Sequence, residues 1–332
     1  MPRVSVLLPI RNAAATLGAA LASLEAQTFP DFEVIAVDDG SSDATAAVLR
    51  ASSASPRLRV ISAPPRGIVP ALNRAAAEAR GEYLARMDAD DIARPERLAR
   101  QVALLDAHRD IVACGTRVRY VPRAGLRDGA RRYERWINAL VTPEDIEREL
   151  FVECPIPHPT LMMRRARFEE VGGYRDGPFP EDYDLVFRLP GPGARLSKVP
   201  EVLLDWRESP DRLSRTDPRY GPDAFRRLKA SYLLEQRVSG RPVVVWGAGP
   251  VGKAFVRELL ALGVRVTAMV DLDPRKVGQV MHGAPVIAPD QVDRHRDAFI
   301  VAAVGRVGAR EEIRAELTRR GWREVDEWCA VA

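Results

Sequence analysis

The sequence predicts an α/β protein built from two parallel-sheet units. Three observations point there. Near-continuous apolar runs alternate with helical patterns over the first ninety residues, a second strand–helix series begins at Pro242, and a polar "SGRP" stretch lies just ahead of it. Strands buried on both faces read as unbroken Val/Ile/Leu runs, and parallel strands need crossover helices to connect them. The predicted division is 1–218 for the larger unit, a helical linker over 219–240, and a smaller unit over 241–332.

Taken in order, "RVSVLLP" is the first strand and Ala14 to Gln27 the first helix. "FEVIAVDD" is the second strand, followed by a helix that Ser42 or Asp43 can cap. "RLRVIS" is the third, followed by a helix from Val69 to Arg80 that Gly81 stops, and "EYLARMD" is the fourth. In such sheets ligands bind at the carboxyl ends of the strands, where Pro9, Asp38-Asp39 and Asp88 all fall. Cys114 to Arg135, rich in Arg, Gly and Asp, reads as a long loop or hairpin. Helical patterns return at Pro143–Phe151 and Asp182–Leu189, the polar, Pro-containing segment 205–221 reads as a loop, and a helix from Pro222 to Arg237 leads to the linker.

Composition excludes several classes. The net charge of +4 over 332 residues argues against a nucleic-acid binder. Three scattered cysteines form no zinc spacing and suggest a reducing compartment. The N-terminal apolar run is broken by Pro9, Arg11 and Asn12, so it reads as strand and turn, not as a signal peptide. No apolar stretch approaches the ~20 residues that cross a bilayer. A cytoplasmic protein is expected, with peripheral membrane contact and homo-oligomerisation left open.

Three acidic stretches carry the chemistry. In "DDGSSD" the turn and cap account for Gly40, Ser42 and Asp43 but not for Asp38 and Asp39. Carboxylates at that edge can accept hydrogen bonds from a nucleobase or from ribose hydroxyls. In "DADD", Asp88 and Asp90 alternate at a strand end, which suits a divalent cation with oxygen ligands. Capping of the following helix by Asp90 or Asp91 is the simpler alternative. In "PEDYDLVFRL", Glu181 and Asp182 either cap a helix or supply a general base.

"VSVLLPIRNAAATL", "VIAVDDGSSD", "GIVPALNRAAAEARGEYLARMDADD", "HPTLMMRR" and "GGYR…PEDYDLVFRL", in this order and spacing, resemble family-2 glycosyltransferases, inverting enzymes of the GT-A (nucleotide-diphospho-sugar transferase) fold. The resemblance covers roughly residues 1–217. It implies that Asp38, beside Asp39, binds the base of a nucleotide-sugar, most simply a UDP-sugar, with Pro9 and Asn12 lining the pocket. It implies further that Asp88 contacts the ribose or sugar, that Asp90 with Asp88 ligates Mn²⁺ or Mg²⁺ on the diphosphate, and that Asp182, with Glu181 beside it, is the catalytic base. Two departures stand out. An arginine expected on the helix after the third strand is Leu72, so Arg66 or Arg74 would have to reach the nucleotide instead. No "QxxRW" follows Asp182, which implies single transfers and no polymer synthesis.

Other residues keep two readings. His158 in "PIPHPTL" either meets the diphosphate, completes the metal shell, or is structural. Arg207, Arg212 and Arg215 either fold over the diphosphate or are solvated. The run from Arg127 to Arg135 faces either solvent or an anionic acceptor or headgroup. The acceptor class stays open among glycan, lipid-linked and small-molecule hydroxyls.

In the smaller unit "GAGPVG" follows a strand and opens a helix, and the next strand ends at Asp271. That context makes the unit Rossmann-like: Gly247, Gly249 and Gly252 would cradle phosphates of a nucleotide or dinucleotide, and Asp271 would take ribose hydroxyls. The glycines could equally serve helix–strand packing. The leading expectation is a metal-dependent, inverting, non-processive glycosyltransferase of cell-surface glycan or polysaccharide synthesis. The alternatives are an NAD(P)-dependent oxidoreductase or a nucleotide-sugar-binding scaffold that uses the Gly-rich unit.

Overall fold

The computed structural model describes residues 1–209 and 212–332; of the predicted loop 205–221, Pro210 and Asp211 lie outside the described residues. The chain divides into two compact units, one of 1–146 and 155–217, the other of 147–154 and 218–332. Residues 147–154, given above to the first domain, and 219–240, given above as a linker, both pack in the second unit.

The first unit begins with β1 (Val4–Ile10), α1 (Leu17–Glu25), β2 (Phe32–Asp39), α2 (Thr45–Ser52), β3 (Leu58–Ala63), α3 (Ile68–Ala77) and β4 (Tyr83–Arg86). The four strands are parallel in the order β3-β2-β1-β4. Ile10 lies opposite Asp38, and Leu7 opposite Arg86, so the carboxyl ends of β1, β2 and β4 share one edge. One face buries Val4, Val6 and Leu8 of β1 with Leu17, Leu21 and Leu24 of α1. Each such side chain contributes about 1.5–3 kcal/mol on burial.

The unit continues with β5 (Ile92–Ala93), α4 (Arg97–Ala107), β6 (Ile111–Val121), α5 (Asp128–Ala139), the start of α6 (Pro143–Glu149, whose residues from 147 on belong to the second unit), β7 (Met162–Arg164), α7 (Arg165–Glu170), α8 (Glu181–Arg188), β8 (Arg195–Arg207) and α9 (Leu213–Thr216). The full sheet runs β3-β2-β1-β4-β7-β6-β8-β5. It turns antiparallel at β7, which pairs with β4 on one side and β6 on the other. The expected loop over 114–135 is corrected: β6 runs on to Val121 and α5 begins at Asp128. The arginines hid both elements. Along β6, Arg117 and Arg119 alternate with the buried Val118 and Tyr120, and along α5 the arginines lie opposite the buried Ile137.

A buried carboxylate ties the parallel strands together. Glu33 of β2 accepts hydrogen bonds from Ser5 Oγ of β1 (2.8 Å), from the Arg80 N–H (2.9 Å) and from Arg80 Nη2 (2.7 Å) just before β4. Burial pushes its pKa up, but the Arg80 and Ser5 donors outweigh that and hold it below the usual range.

The second unit comprises α10 (Pro222–Leu233), β9 (Val243–Trp246), α11 (Pro250–Ala261), β10 (Val266–Val270), β11 (Val280–Met281), β12 (Ala284–Ile287), β13 (Phe299–Ala302), α12 (Ala309–Arg319) and β14 (Trp328–Ala330). Its sheet, β11-β12-β10-β9-β13-β14, is parallel except for the β11–β12 hairpin. The mid-chain segment belongs here through polar contacts. Glu149 accepts from Arg310 and Arg314 of α12, at 2.8 Å each, and Lys229 Nζ of α10 donates to the Val152 carbonyl (3.1 Å). Cys114, Cys154 and Cys329 are buried. Among the described residues no helix is long and apolar enough to cross a membrane.

Candidate active site

The edge formed by β1 and β2 is held by polar side chains. Asn12 has φ +50°, a conformation that asparagine tolerates better than most residues. Its Oδ1 accepts from the Ser42 N–H (2.8 Å), and its own N–H donates to Ser41 Oγ (2.9 Å). Asp38 Oδ1 accepts from the Ser41 N–H (3.0 Å). Asp39 accepts from the N–H groups of Arg66 (2.7 Å) and Gly67 (2.8 Å), which fixes the entry to α3. Asn12 and Asp38 thus shape the 40–42 turn, and Pro9, opposite Val37, lies on the same edge. The Arg66 side chain is exposed, and Arg74 pairs with Glu78 on its own helix. Leu72 is fully buried, so the position expected to carry an arginine is a core position here.

The acidic turn after β4 brings the carboxylate oxygens of Asp88, Asp90 and Asp91 within 4.8 Å of one another, the one such group among the described residues. Cations offset part of their repulsion. Arg86, fully buried, pairs with Asp88 through Nη1, while its Nε is buried without a hydrogen-bond partner. Arg97, also buried, lies beneath the turn with its Nη2 on the Arg86 carbonyl (2.5 Å). Arg207 donates its N–H to Asp91 Oδ1 (2.7 Å) and its Nε to the Asp90 carbonyl (2.9 Å). Burial, then the charge of Asp88, raises the Asp90 carboxyl, and burial with Asp88 and Asp90 raises Asp91 well above the usual range. Asp91 Oδ2 is buried with no hydrogen-bond partner. Three acids with an orphaned oxygen form a donor set that suits a hard divalent cation.

His158 is not part of that acidic group. It lies in a 3₁₀ turn (His158–Thr160), and its Nε2 meets the Tyr174 hydroxyl at 2.8 Å. Burial and the nearby Arg86 push its pKa well down, so the ring is neutral. Tyr174 is itself buried, and burial raises its hydroxyl pKa, as do the neighbouring charges of Glu181, Asp182 and Asp88. This tyrosine therefore feels the charges of both the acidic turn and the start of α8. Asn73 of α3 clamps its backbone, with Oδ1 accepting the Tyr174 N–H (3.1 Å) and Nδ2 donating to the Tyr174 carbonyl (2.8 Å). At the head of α8, Glu181 is buried and Asp182 half-buried, its Oδ1 accepting the Tyr183 N–H at 2.8 Å. Sequence reading passed over Arg86, Asn73 and Tyr174, although each lies inside a quoted motif. The signal was a polar side chain at a position that becomes buried.

The three arginines at and beyond the end of β8 do different things. Arg207 supports the acidic turn as described. Arg212 lies over the Trp206 ring (4.5 Å) and pairs with Glu208 (3.2 Å). Burial opposes its charge, but Tyr120, Asp91 and Asp88 outweigh that and raise its pKa. Arg215 pairs with Glu208.

In the second unit the glycine turn is spent largely on packing. A Cβ at Gly252 would lie 1.7 Å from the Gly247 carbonyl oxygen, and one at Gly247 would lie 2.6 Å from the Ala303 carbonyl oxygen. Only Gly249 opens onto free space. Asp271 accepts from the Ala248 N–H (3.0 Å), the Asp273 N–H (2.9 Å) and Lys276 Nζ (2.9 Å). Those donors outweigh burial and hold its pKa down.

A family model described as Glycosyl transferase family 2 matches residues 5–172. EpsE of Bacillus subtilis (strain 168), named as a glycosyltransferase, is 32% identical over 242 residues, which cover 69% of this chain and 84% of EpsE. The chain belongs to glycosyltransferase family 2. AmsE of Erwinia amylovora, named as an amylovoran biosynthesis glycosyltransferase, is 27% identical over 197 residues, 59% of this chain and 71% of AmsE. Among solved structures, S. aureus TarS in complex with UDP-GlcNAc superposes with a TM-score of 0.55 at 22% identity, over 70% of this chain and 67% of that one. The mannosyltransferase PcManGT from Pyrobaculum calidifontis, in complex with GDP-Man and Mn²⁺, gives 0.50 at 24% identity, over 70% and 62%. At these identities the structures show the glycosyltransferase fold alone. The relatives do not favour the oxidoreductase alternative for this transferase. The family match ends at Gly172, ahead of Glu181 and Asp182.

Proposed function

We propose that this glycosyltransferase moves a sugar from a nucleotide-sugar, most simply a UDP-sugar, to an acceptor hydroxyl with inversion, one transfer at a time, in the assembly of a cell-surface glycan or polysaccharide. The observation that carries the reading is the acidic turn after β4, with three convergent carboxylates and one orphaned oxygen. Asp88, Asp90 and Asp91 are the residues that would hold Mn²⁺ or Mg²⁺, which when bound offsets negative charge on the departing diphosphate. TarS and PcManGT, captured with UDP-GlcNAc and with GDP-Man and Mn²⁺, lend support to a nucleotide-sugar donor and a metal. AmsE, by its name, lends support to the polysaccharide setting.

The chain's own residues divide the work. Pro9, Asn12, Asp38 and Asp39 border the nucleotide pocket at the β1–β2 edge. Asp182, with Glu181 beside it, takes the proton from the acceptor hydroxyl as that oxygen bonds to C1 of the sugar. The C1–oxygen bond to the diphosphate breaks on the opposite face, its electron pair leaving with the nucleoside diphosphate. Base and leaving group must flank C1, which suits acids placed on different elements. Tyr174 and Asn73 position the approach to α8, and neutral His158 orients the Tyr174 hydroxyl.

A thermal-shift screen of UDP- and GDP-sugars, each with Mn²⁺ and with EDTA, tests the reading. One donor well above its dissociation constant stabilises the protein by about 2–4 kcal/mol, and only with the metal present. Equal shifts with EDTA, or none for any nucleotide-sugar, contradict it.

A further inference from the structure

A cavity of about 540 Å³ lies against β6 and α5, apart from the acidic turn, and is lined by Arg117, Arg123, Arg131 and Arg135 with Glu134 and Asn138. Its charge is unbalanced. Glu134 is bonded bidentately by Arg123 alone (2.7 and 2.5 Å). Arg117 donates Nε to the Asn138 carbonyl (2.8 Å), and Arg131 donates to the carbonyls of Leu126 and Arg123 (3.3 Å each). Those contacts fix the two guanidinium groups in place without neutralising them. Arg135 is exposed and has no carboxylate partner among the described residues. Arg3, Arg80, Arg188, Arg310 and Arg320, by contrast, each meet a carboxylate. Here three unpaired guanidinium groups converge on one concavity, and such mutual repulsion calls for an anion.

We propose that this pocket binds a phosphate or diphosphate group carried by the acceptor. Guanidinium forks match phosphate oxygens two at a time and keep their charge at any working pH. The volume exceeds what one phosphate needs and leaves room for a diphosphate and the start of its substituent. An aromatic contact joins α5 to the end of β8. Tyr133 of α5 packs 6.4 Å from Trp206 of β8, Arg212 lies over that indole, and Arg207, the residue after Trp206, holds Asp91. An acceptor anchored here by its phosphate would extend along β8 toward the transfer site. The pocket's place in the reaction rests on the proposed glycosyl transfer; its anion binding does not.

The test uses the full chain with inorganic pyrophosphate in EDTA, followed by calorimetry, and vesicles of phosphatidylcholine containing about a third phosphatidylglycerol, followed by co-sedimentation. The clean variant is Arg135→Glu, whose side chain carries no structural contact; Arg131→Gln/Arg135→Gln is the second. We expect pyrophosphate to bind the wild type and to bind either variant about tenfold more weakly or worse, with Mn²⁺-dependent UDP binding unchanged in both. Vesicle binding that Arg135→Glu abolishes, without pyrophosphate binding, would place the phosphate in a membrane headgroup instead of a soluble acceptor. Pyrophosphate and vesicle binding that neither variant alters, or no binding of either probe, overturns the proposal. Failure of wild-type UDP binding would sink the transfer reading and leave the pocket's result standing separately.

Discussion

Replacing Asn73 with alanine isolates how the site is braced. Asn73 spends both ends of its amide on the Tyr174 backbone, at 3.1 Å to the N–H and 2.8 Å to the carbonyl. Tyr174 is 3% exposed, so water replaces neither bond readily. A buried backbone group left unpaired costs about 1–2 kcal/mol, so the substitution destabilises the protein by about 2–4 kcal/mol. For domains of this size that lowers the melting temperature by roughly 5–15 °C. The functional effect is separable. Tyr174 links His158 to the neighbourhood of Glu181 and Asp182, so its displacement slows turnover by about tenfold or more, while donor binding at the β1–β2 edge holds. Calorimetry with donor hydrolysis or transfer rates reads both quantities. Asn73→Asp keeps the acceptor for the N–H but turns a carboxylate toward the Tyr174 carbonyl, and should be no better than alanine. A melting temperature within about 2 °C of wild type together with unchanged kcat would refute the clamp.

Two further outcomes follow from the packing. Glu33 has a folded pKa below its unfolded one, so its contribution is present above the carboxylate range and is lost as pH falls through the folded value. Glu33→Gln should therefore cost about 1–2 kcal/mol at neutral pH and flatten the loss of stability between about pH 5 and pH 3; denaturant melts across that range check it, and parallel pH profiles would count against it. Gly252→Ala places a methyl 1.7 Å from the Gly247 carbonyl oxygen, so the second unit should melt at a lower temperature, with a cost of at least about 1–3 kcal/mol. Donor binding by the first unit should survive, and an unaltered melting profile would show that α11 yields without cost.

β1 and β2 were legible because each is a near-continuous apolar run, as in "VSVLLP" and "FEVIAV". The acidic turn was legible because three aspartates at a strand end have few structural uses. Segments governed by long-range polar contacts were not. Nothing local marks 147–154 as part of the second unit, since Glu149 meets Arg310 and Arg314 about 160 residues away in sequence. β6 and α5 were missed because arginines on their exposed faces mimic a loop. Asn73 and Tyr174 were overlooked for a related reason: a polar side chain that serves another backbone looks the same in sequence as one that serves solvent. The Gly-rich turn shows the opposite failure, a recognisable motif whose Gly247, Gly252 and Asp271 are engaged within the protein.

The separation of base from leaving-group site is the centre of the proposed mechanism, and Asp182→Asn probes it with the smallest change of shape. Sugar transfer and Mn²⁺-dependent nucleotide binding should be measured on the same preparation, beside Asp90→Asn. Asp182→Asn should lose transfer by about 10³-fold or more with nucleotide binding intact, whereas Asp90→Asn should lose metal-dependent binding as well. Near wild-type transfer by Asp182→Asn would contradict that mechanism.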